Sequence, residues 1–388
     1  MWALDPRTHH LNHGSFGAVP LEVLERQTEW RERWEANPTA FISNDLQPAL
    51  DEARQSVSEF LGADSDGLVF VRNVSTGVAS VIRSIEPFLE AGDELLTTAQ
   101  DYNAVRQMLE YSAERHEAKV VVAEVPFPVE SPNQVTEAVL SKAGPRTKLA
   151  VIDHITSPTA LIYPVREMVA ALEPHVPVLV DGAHGPGQIA LDVDEIGASW
   201  YTGNLHKWTC APKGSAFLHA RADRRPETVP TVISHGRNAP MPEIGDRYRL
   251  LFDWLGTDDF SQWLVVPDAL SAVGALEPGG WAALRKRNHE LILAARRLLA
   301  SSVGSKLPAP DEMIGTMAAI RLPDRGGEHP GGELSPLMDD LIDAGFETLV
   351  MNWPSWPSQL LRVSAHHYNR LEEYEALAKV LGTLLDAE

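Results

Sequence analysis

Between about residues 68 and 220 the chain alternates short apolar runs with longer stretches of mixed polarity. The runs are LVFV at 68, ELLTT at 94, KVVVAEV at 119, KLAVID at 148, PVLVD at 177, ASWY at 198 and SAFLHA at 215. Continuous β-branched runs of this length predict strands buried on both faces, and the stretches between them predict helical crossovers. The region therefore reads as an α/β unit with a mainly parallel sheet covered by helices. Ligands of such sheets gather outside the carboxyl ends of the strands, so the polar residues closing each run are the ones to inspect.

The pattern loosens from about 222 to 265, where RRPETVPTVISHGRNAPMPEIGDRYRL is rich in Pro, Gly and Arg and predicts a long connecting loop. Beyond it, WAALRKRNHELILAARRLLASS is helical. RLEEYEALAKVLGTLLDA carries Tyr374, Leu377, Leu381 and Leu384 on one face, with Glu372 and Glu373 in its first turn. TMAAIRLP and LLRVSAH supply strands between these helices, and DRGGEHPGGELSP reads as a solvated loop. The expected organisation is a large domain over 20–265 and a small α+β domain over 266–388 joined by the N-terminal segment 1–19. No internal repeat is present.

With 44% hydrophobic and 22% charged residues, the composition is that of an ordinary globular protein. The formal charge of -21 and the lack of a Lys/Arg block argue against nucleic acid as a partner, and any bound anion needs a local site to overcome that field. A single cysteine, Cys210, excludes an intramolecular disulfide framework and a multi-cysteine zinc site. The N-terminus lacks a basic stretch followed by an apolar one, and no apolar run approaches the ~20 residues that span a bilayer, so a cytoplasmic protein without membrane contact is expected.

The strand ends carry the candidate chemistry. LVFVRNVSTGVASVIRS is a strand, a polar turn and a helix, which puts Ser75, Thr76 and Gly77 where free backbone N–H groups favour a phosphate; ordinary capping explains the same residues. No G-x-x-x-x-G-K-[ST] pattern is present. Tyr102 matters only if something planar lies at the sheet edge for it to stack on. His154, Thr156 and Ser157 either hydrogen-bond a ligand or shape a turn. Asp181 closes a buried run, and a buried carboxylate needs a cationic or N–H partner, either an Arg, a helix end or a protonated ring nitrogen. Lys207 follows in an inward-facing turn beside Trp208. An amine there is partly neutral and able to bond an aldehyde. The order of phosphate site, aromatic plate, buried Asp and Lys describes a pyridoxal 5'-phosphate (PLP) site.

The stretches LNHGSFGAVP, FVRNVSTGV, LLTTAQDYNAV, VDGAHGPGQIALDV, YTGNLHKWTCAPKG, FDWLGTDD and LLRVSAHHYN, in this order over nearly the whole chain, resemble the class V aminotransferase superfamily and its isopenicillin N epimerase-like branch. The resemblance implies PLP fold type I, with a large, mostly parallel seven-stranded sheet, a small C-terminal domain and a homodimer with shared sites. It implies that Lys207 holds the cofactor covalently and moves the Cα proton, that Asp181 pairs with the ring nitrogen and that His184 contacts the phenolic oxygen. Tyr102 would cover the ring, Ser75, Thr76, Asn204 and His206 would form the phosphate cup, and Ser157 would also bind the cofactor. Thr257 would reach the neighbouring subunit's phosphate. Arg362 would pair with the substrate carboxylate, and Asn12, His13, Gly14 and Ser15 would line the substrate pocket. No metal is implied. Ala99, Gln100 and Ala160 depart from the usual pattern and bear on the substrate.

The implied substrate is an amino acid, and reaction at Cα or Cβ branches into epimerisation, C–S β-elimination from a cysteine conjugate or sulfoxide, and transamination or deamination. Tyr102 is a candidate second acid for epimerisation, with stacking as its simpler role. Cys210, three residues after Lys207 in a structural turn, is in the wrong place to take up sulfur as a persulfide. A cofactor-binding protein without turnover is the reading of a different class.

Overall fold

All seven apolar runs become strands of one sheet. The computed structural model of the protein describes residues 1–240, 247–324, 331–332 and 334–386. The strands are β1 (His9–His10), β2 (Leu68–Val71), β3 (Glu94–Thr98), β4 (Lys119–Ala123), β5 (Thr147–Asp153), β6 (Val178–Asp181), β7 (Trp200–Asn204), β8 (Ala216–Ala220), β9 (Met317–Leu322), β10 (Phe346–Glu347), β11 (Leu349–Asn352) and β12 (Gln359–Ser364). The large sheet has the order β2-β8-β7-β6-β5-β3-β4. It is parallel except for β8, which runs antiparallel to both β2 and β7.

Successive residues of a strand face opposite sides, so each strand feeds two cores. Leu149 and Val151 of β5 join Leu179, Trp200 and Leu218 on one face. Ala150 and Ile152 join Val178, Val180 and Phe217 on the other. Burial on both faces is why these runs read as unbroken apolar stretches in sequence.

The smaller antiparallel sheet has the order β11-β12-β9. It packs with the helices Gly280–Ser302 and Leu371–Asp386, whose buried Ile292, Leu299, Tyr374 and Leu377 share one core with Ile320 and Leu361. Strand β1 pairs in parallel with β10 in a separate two-stranded sheet, and Ser364 N at the end of β12 donates to Leu11 O just after β1.

The expected loop over 222–265 is partly helical. Residues Arg247–Asp253 form a helix whose Tyr248, Leu251 and Phe252 pack into the core on one face of the large sheet. Their i, i+3, i+4 spacing is helical, but Pro, Gly and Arg dominate the stretch around them. Residues 241–246 of this stretch, and 325–330 and 333 of the expected solvated loop, lie outside the described residues. Among the described residues no helix is long and apolar enough to cross a membrane.

Candidate active site

The parallel strands β5, β6 and β7 end side by side, and their last residues are Asp153, Asp181 and Asn204. The hairpin turn from β7 to β8 follows at once and carries His206 and Lys207. Backbone bonds from Leu205 N and His206 N to Ser215 O, and from His206 Nδ1 to the same oxygen at 2.9 Å, close that turn.

Lys207 Nζ lies 3.1 Å from His184 Nε2. Burial, together with the neighbouring Arg362 guanidinium, pulls the Lys207 amine down to about 7, against the opposing pull of Asp181 and Asp153. An amine with that pKa is about half free at neutral pH, as a nucleophile toward an aldehyde must in part be. Burial, and the charge on Lys207, hold His184 well below the usual imidazole range, so the ring is neutral. When Lys207 donates to Nε2, Nδ1 carries the ring hydrogen, and that buried atom has no partner. It is a donor set for an oxygen the chain does not supply.

Asp181 accepts a 2.9 Å bond from Ala183 N, and burial pushes its carboxyl up to about 6. Among the described residues no cation lies within ion-pair distance of it. A buried carboxylate left in this state is stabilised by any cation that arrives, including a protonated ring nitrogen. Asp153, its register partner on β5, is raised still further by burial and by Asp181.

Arg362 of β12 is fully buried and forms the third charged group acting on Lys207. Its Nη1 donates to Ser157 O at 2.7 Å and Ser157 Oγ at 3.1 Å, and its Nη2 to Ser15 Oγ at 2.8 Å and Asn12 Oδ1 at 3.3 Å. All four acceptors are neutral, and Nε has no partner. A buried guanidinium without a carboxylate is poised for an anionic ligand.

Helix Val74–Ile85 begins where β2 ends. Its first N–H groups are held by two asparagines: Asn204 Oδ1 accepts from Val74 N at 3.1 Å, and Asn73 Oδ1 from Thr76 N at 2.8 Å and Thr76 Oγ1 at 3.0 Å. Asn73 thus does the capping that Ser75 and Thr76 were candidates for; Asn directly before the first helical residue was the available signal. The helix lies so close to β7 that a Cβ on Gly77 would sit 2.3 Å from Thr202 Oγ1. Gly77→Ala is therefore expected to push the helix start away from Asn204 and weaken binding of a phosphate-bearing ligand about tenfold. Equilibrium titration of the cofactor-free variant with PLP measures it, and unchanged affinity would remove this helix from the phosphate site.

The remaining candidates sit as follows. Tyr102 is half exposed at the start of helix Asn103–Arg115; burial lowers the Arg362 guanidinium to about 10, and Tyr102 is near enough to oppose that pull. His13 bonds to the backbone of Lys207 and to Tyr368. Gly14 N donates to Ser364 Oγ at 3.0 Å. Thr257 is exposed in a bend, and its neighbour Asp258 pairs with Arg72, next to the Asn73 cap. Gln100 is buried, bonded to Thr159 and to Val125 O, and thereby braces the loop that bears Ser157. Ala160 has φ +58, the left-handed region where Gly is favoured. Cys210 is buried, and burial pushes its thiol up, away from the reactive thiolate.

The family model "Aminotransferase class-V" matches residues 16–377. This chain belongs to the class V aminotransferase family. It is accordingly a PLP-dependent enzyme. Isopenicillin N epimerases from Streptomyces clavuligerus and Amycolatopsis lactamdurans are 34% and 36% identical to this class V enzyme, each over 98% of this chain and 96% of theirs. An L-cysteine desulfhydrase from Arabidopsis thaliana is 31% identical over 97% of this chain and 87% of its own. Among solved structures, the cystine C–S lyase C-DES superposes with a TM-score of 0.78 at 20% identity, covering 97% of this chain and 98% of that one. The expected α/β fold, with its large, mostly parallel sheet of seven strands and smaller antiparallel sheet, agrees with these relatives.

The observed groups fit PLP on their own chemistry. The partnerless His184 Nδ1 and the cation-poor Asp181 are the two buried groups that a hydroxylated, protonated pyridine ring would satisfy. When bound, PLP supplies an aldehyde carbon for an amino group and a ring that accepts the electron pair left at Cα.

Proposed function

We propose that this enzyme removes the Cα proton of an L-amino acid whose β-carbon bears sulfur, a cysteine or cysteine-derived compound. The observation that carries the reading is the pairing of a near-neutral amine, Lys207 beside His184, with a buried guanidinium, Arg362, that lacks an anion. Arg362 would hold the substrate carboxylate in bidentate geometry, displacing Ser15 and Asn12 as acceptors. Asp181 would keep the cofactor's ring nitrogen protonated. His184 would donate to its phenolic oxygen, and Tyr102 would cover its face. The phosphate would rest on Ser75, Thr76, Asn204, His206 and the start of helix Val74–Ile85. Lys207, released from the cofactor by the substrate amine, would take the Cα proton as general base.

Departure of a β-thiolate with its electron pair then gives C–S cleavage, the reaction class of the desulfhydrase relatives. Return of a proton from the opposite face gives epimerisation, which the 34–36% identity to the two epimerases supports. The buried thiol of Cys210 disfavours a protein persulfide. Thr257, exposed in its loop, would reach the phosphate of a second copy in a homodimer.

Incubation with L-cysteine and S-substituted cysteines in heavy water separates the branches. Pyruvate with released sulfide or thiol identifies the lyase, and Cα exchange with inversion and no pyruvate identifies the epimerase. Neither exchange nor product with any of these substrates would sink the proposal as a whole.

A further inference from the structure

Beneath the Lys207 turn lies a second buried cluster. His13 and His366 stack at 4.0 Å between centroids and 16° between planes. Cys210 Sγ is 3.5 Å from His366 Nε2 and 3.8 Å from His13 Nε2. The three ligand atoms fall within 4.8 Å of one another, the spacing of a metal site. The ring geometry excludes one. A metal sits in the plane of each imidazole that binds it, about 2 Å from the nitrogen, and two stacked rings have no common in-plane point that close. His13 Nε2 is, moreover, already engaged.

That engagement is the informative contact. His13 Nε2 lies 3.0 Å from the carbonyl oxygen of Lys207, and His13 Nδ1 lies 2.9 Å from Tyr368 Oη. A carbonyl only accepts, so Nε2 carries the hydrogen, Nδ1 offers its lone pair, and the Tyr368 hydroxyl donates to it. Burial holds the ring at about 3, which keeps this neutral tautomer at any working pH. A chain of two hydrogen bonds thus runs from the small-sheet side of the molecule to the backbone of Lys207.

The same segment also reaches the other end of the site. Asn12 and Ser15, on either side of His13, accept from Arg362, and Gly14 N donates to Ser364 two residues further along. At Gly17, φ is +71 and a Cβ would lie 2.2 Å from His206 O, so the segment is pressed onto the turn with no room to slide. Lys213 Nζ fixes it there by donating to Gly17 O at 2.8 Å.

We propose that His13, held in its tautomer by Tyr368, is a positioning residue that locks the Lys207 turn to the Arg362 end of the pocket, so that amine and carboxylate-binding group keep a fixed separation. The proposal rests on the reading of Lys207 and Arg362 given above. Without the His13 clamp the turn relaxes toward solvent, and the amine escapes the burial and the Arg362 charge that depress its pKa.

The test uses cofactor-free protein and an amine-reactive reagent, with labelling of the Lys207 peptide followed by mass spectrometry across pH. The wild-type midpoint is expected near 7. In His13→Ala it is expected to rise by about one pH unit or more, and His13→Gln, which keeps an N–H donor of similar reach, to restore much of the difference. Tyr368→Phe, which keeps the ring and its packing, is expected to shift the midpoint in the same direction by less. In the loaded enzyme the clamp's loss is expected to lower kcat about tenfold, with little change in PLP affinity. An unshifted midpoint in a folded His13→Ala or Tyr368→Phe, with only a lower melting temperature, would overturn the proposal. The labelling needs neither cofactor nor substrate, so failure of the proposed reaction would leave its outcome unchanged.

Discussion

Lys207→Ala is expected to reduce turnover by about 10⁴-fold, the upper end of what a positioned proton-transfer group contributes. The loss should fall on kcat. Asp181 and the start of helix Val74–Ile85, two of the cofactor contacts proposed here, make no bond to the Lys207 side chain, so the variant should still bind PLP noncovalently, although His184 Nε2 loses its partner. The pH behaviour of the wild type follows from the same amine. Because Lys207 is depressed to about 7, its free form dominates above that pH and declines about tenfold per unit below it. The rate at which cofactor-free protein captures PLP should therefore climb from pH 5 to 7 and level off above about 7. Stopped-flow absorbance across pH measures this rate. Capture that continues to climb through pH 9 to 10 would mean that neither burial nor Arg362 acts on the amine as described.

Arg362→Ala is expected to raise KM for an α-amino carboxylate by about 30-fold or more, since truncating one member of a buried charged pair costs about 2–5 kcal/mol. PLP affinity should change far less, because Ser157 is the one residue expected at the cofactor that Arg362 bonds to, its other acceptors being Asn12 and Ser15 of the substrate side. Arg362→Lys should recover only part of the loss: an ammonium keeps the charge but not the fork that meets both carboxylate oxygens. Parallel steady-state kinetics and PLP titrations decide the matter. Equal losses in substrate and cofactor would make Arg362 a structural anchor for the N-terminal segment rather than a carboxylate site.

What the sequence made legible follows from how locally each feature is encoded. The strands of the large sheet announce themselves because burial on both faces demands unbroken β-branched runs, and a polar residue such as Asp181 closing such a run is costly without a purpose. Lys207 stood out for a similar reason, as a cation in a turn flanked by Trp208 and two buried strands. Arg362, within LLRVSAH, took its role from family resemblance alone.

Other features depend on contacts between distant residues. Nothing near His13 in sequence indicates that its ring meets the carbonyl of Lys207, 194 positions away, instead of the pocket around Arg362. Asn204 was expected at the phosphate. Its specific task, accepting from the first N–H of helix Val74–Ile85, depends on β7 and β2 being joined through β8 in one sheet. The helix Arg247–Asp253 escaped because one turn and a half of apolar spacing is a weak signal among prolines and glycines. Ala160 was visible as a departure from the usual pattern, but only its φ of +58, in the left-handed region that favours Gly, gives a physical reason to single it out.

The central claim is that Lys207 is the residue that bonds the cofactor. Borohydride reduction of the PLP-loaded protein, followed by proteolysis and mass spectrometry, tests it directly. A phosphopyridoxyl group is expected on Lys207, within the peptide YTGNLHKWTCAPKG, and none in Lys207→Ala. A label on Lys213 or another lysine, or no reducible linkage in a protein that nonetheless turns over substrate, would contradict it.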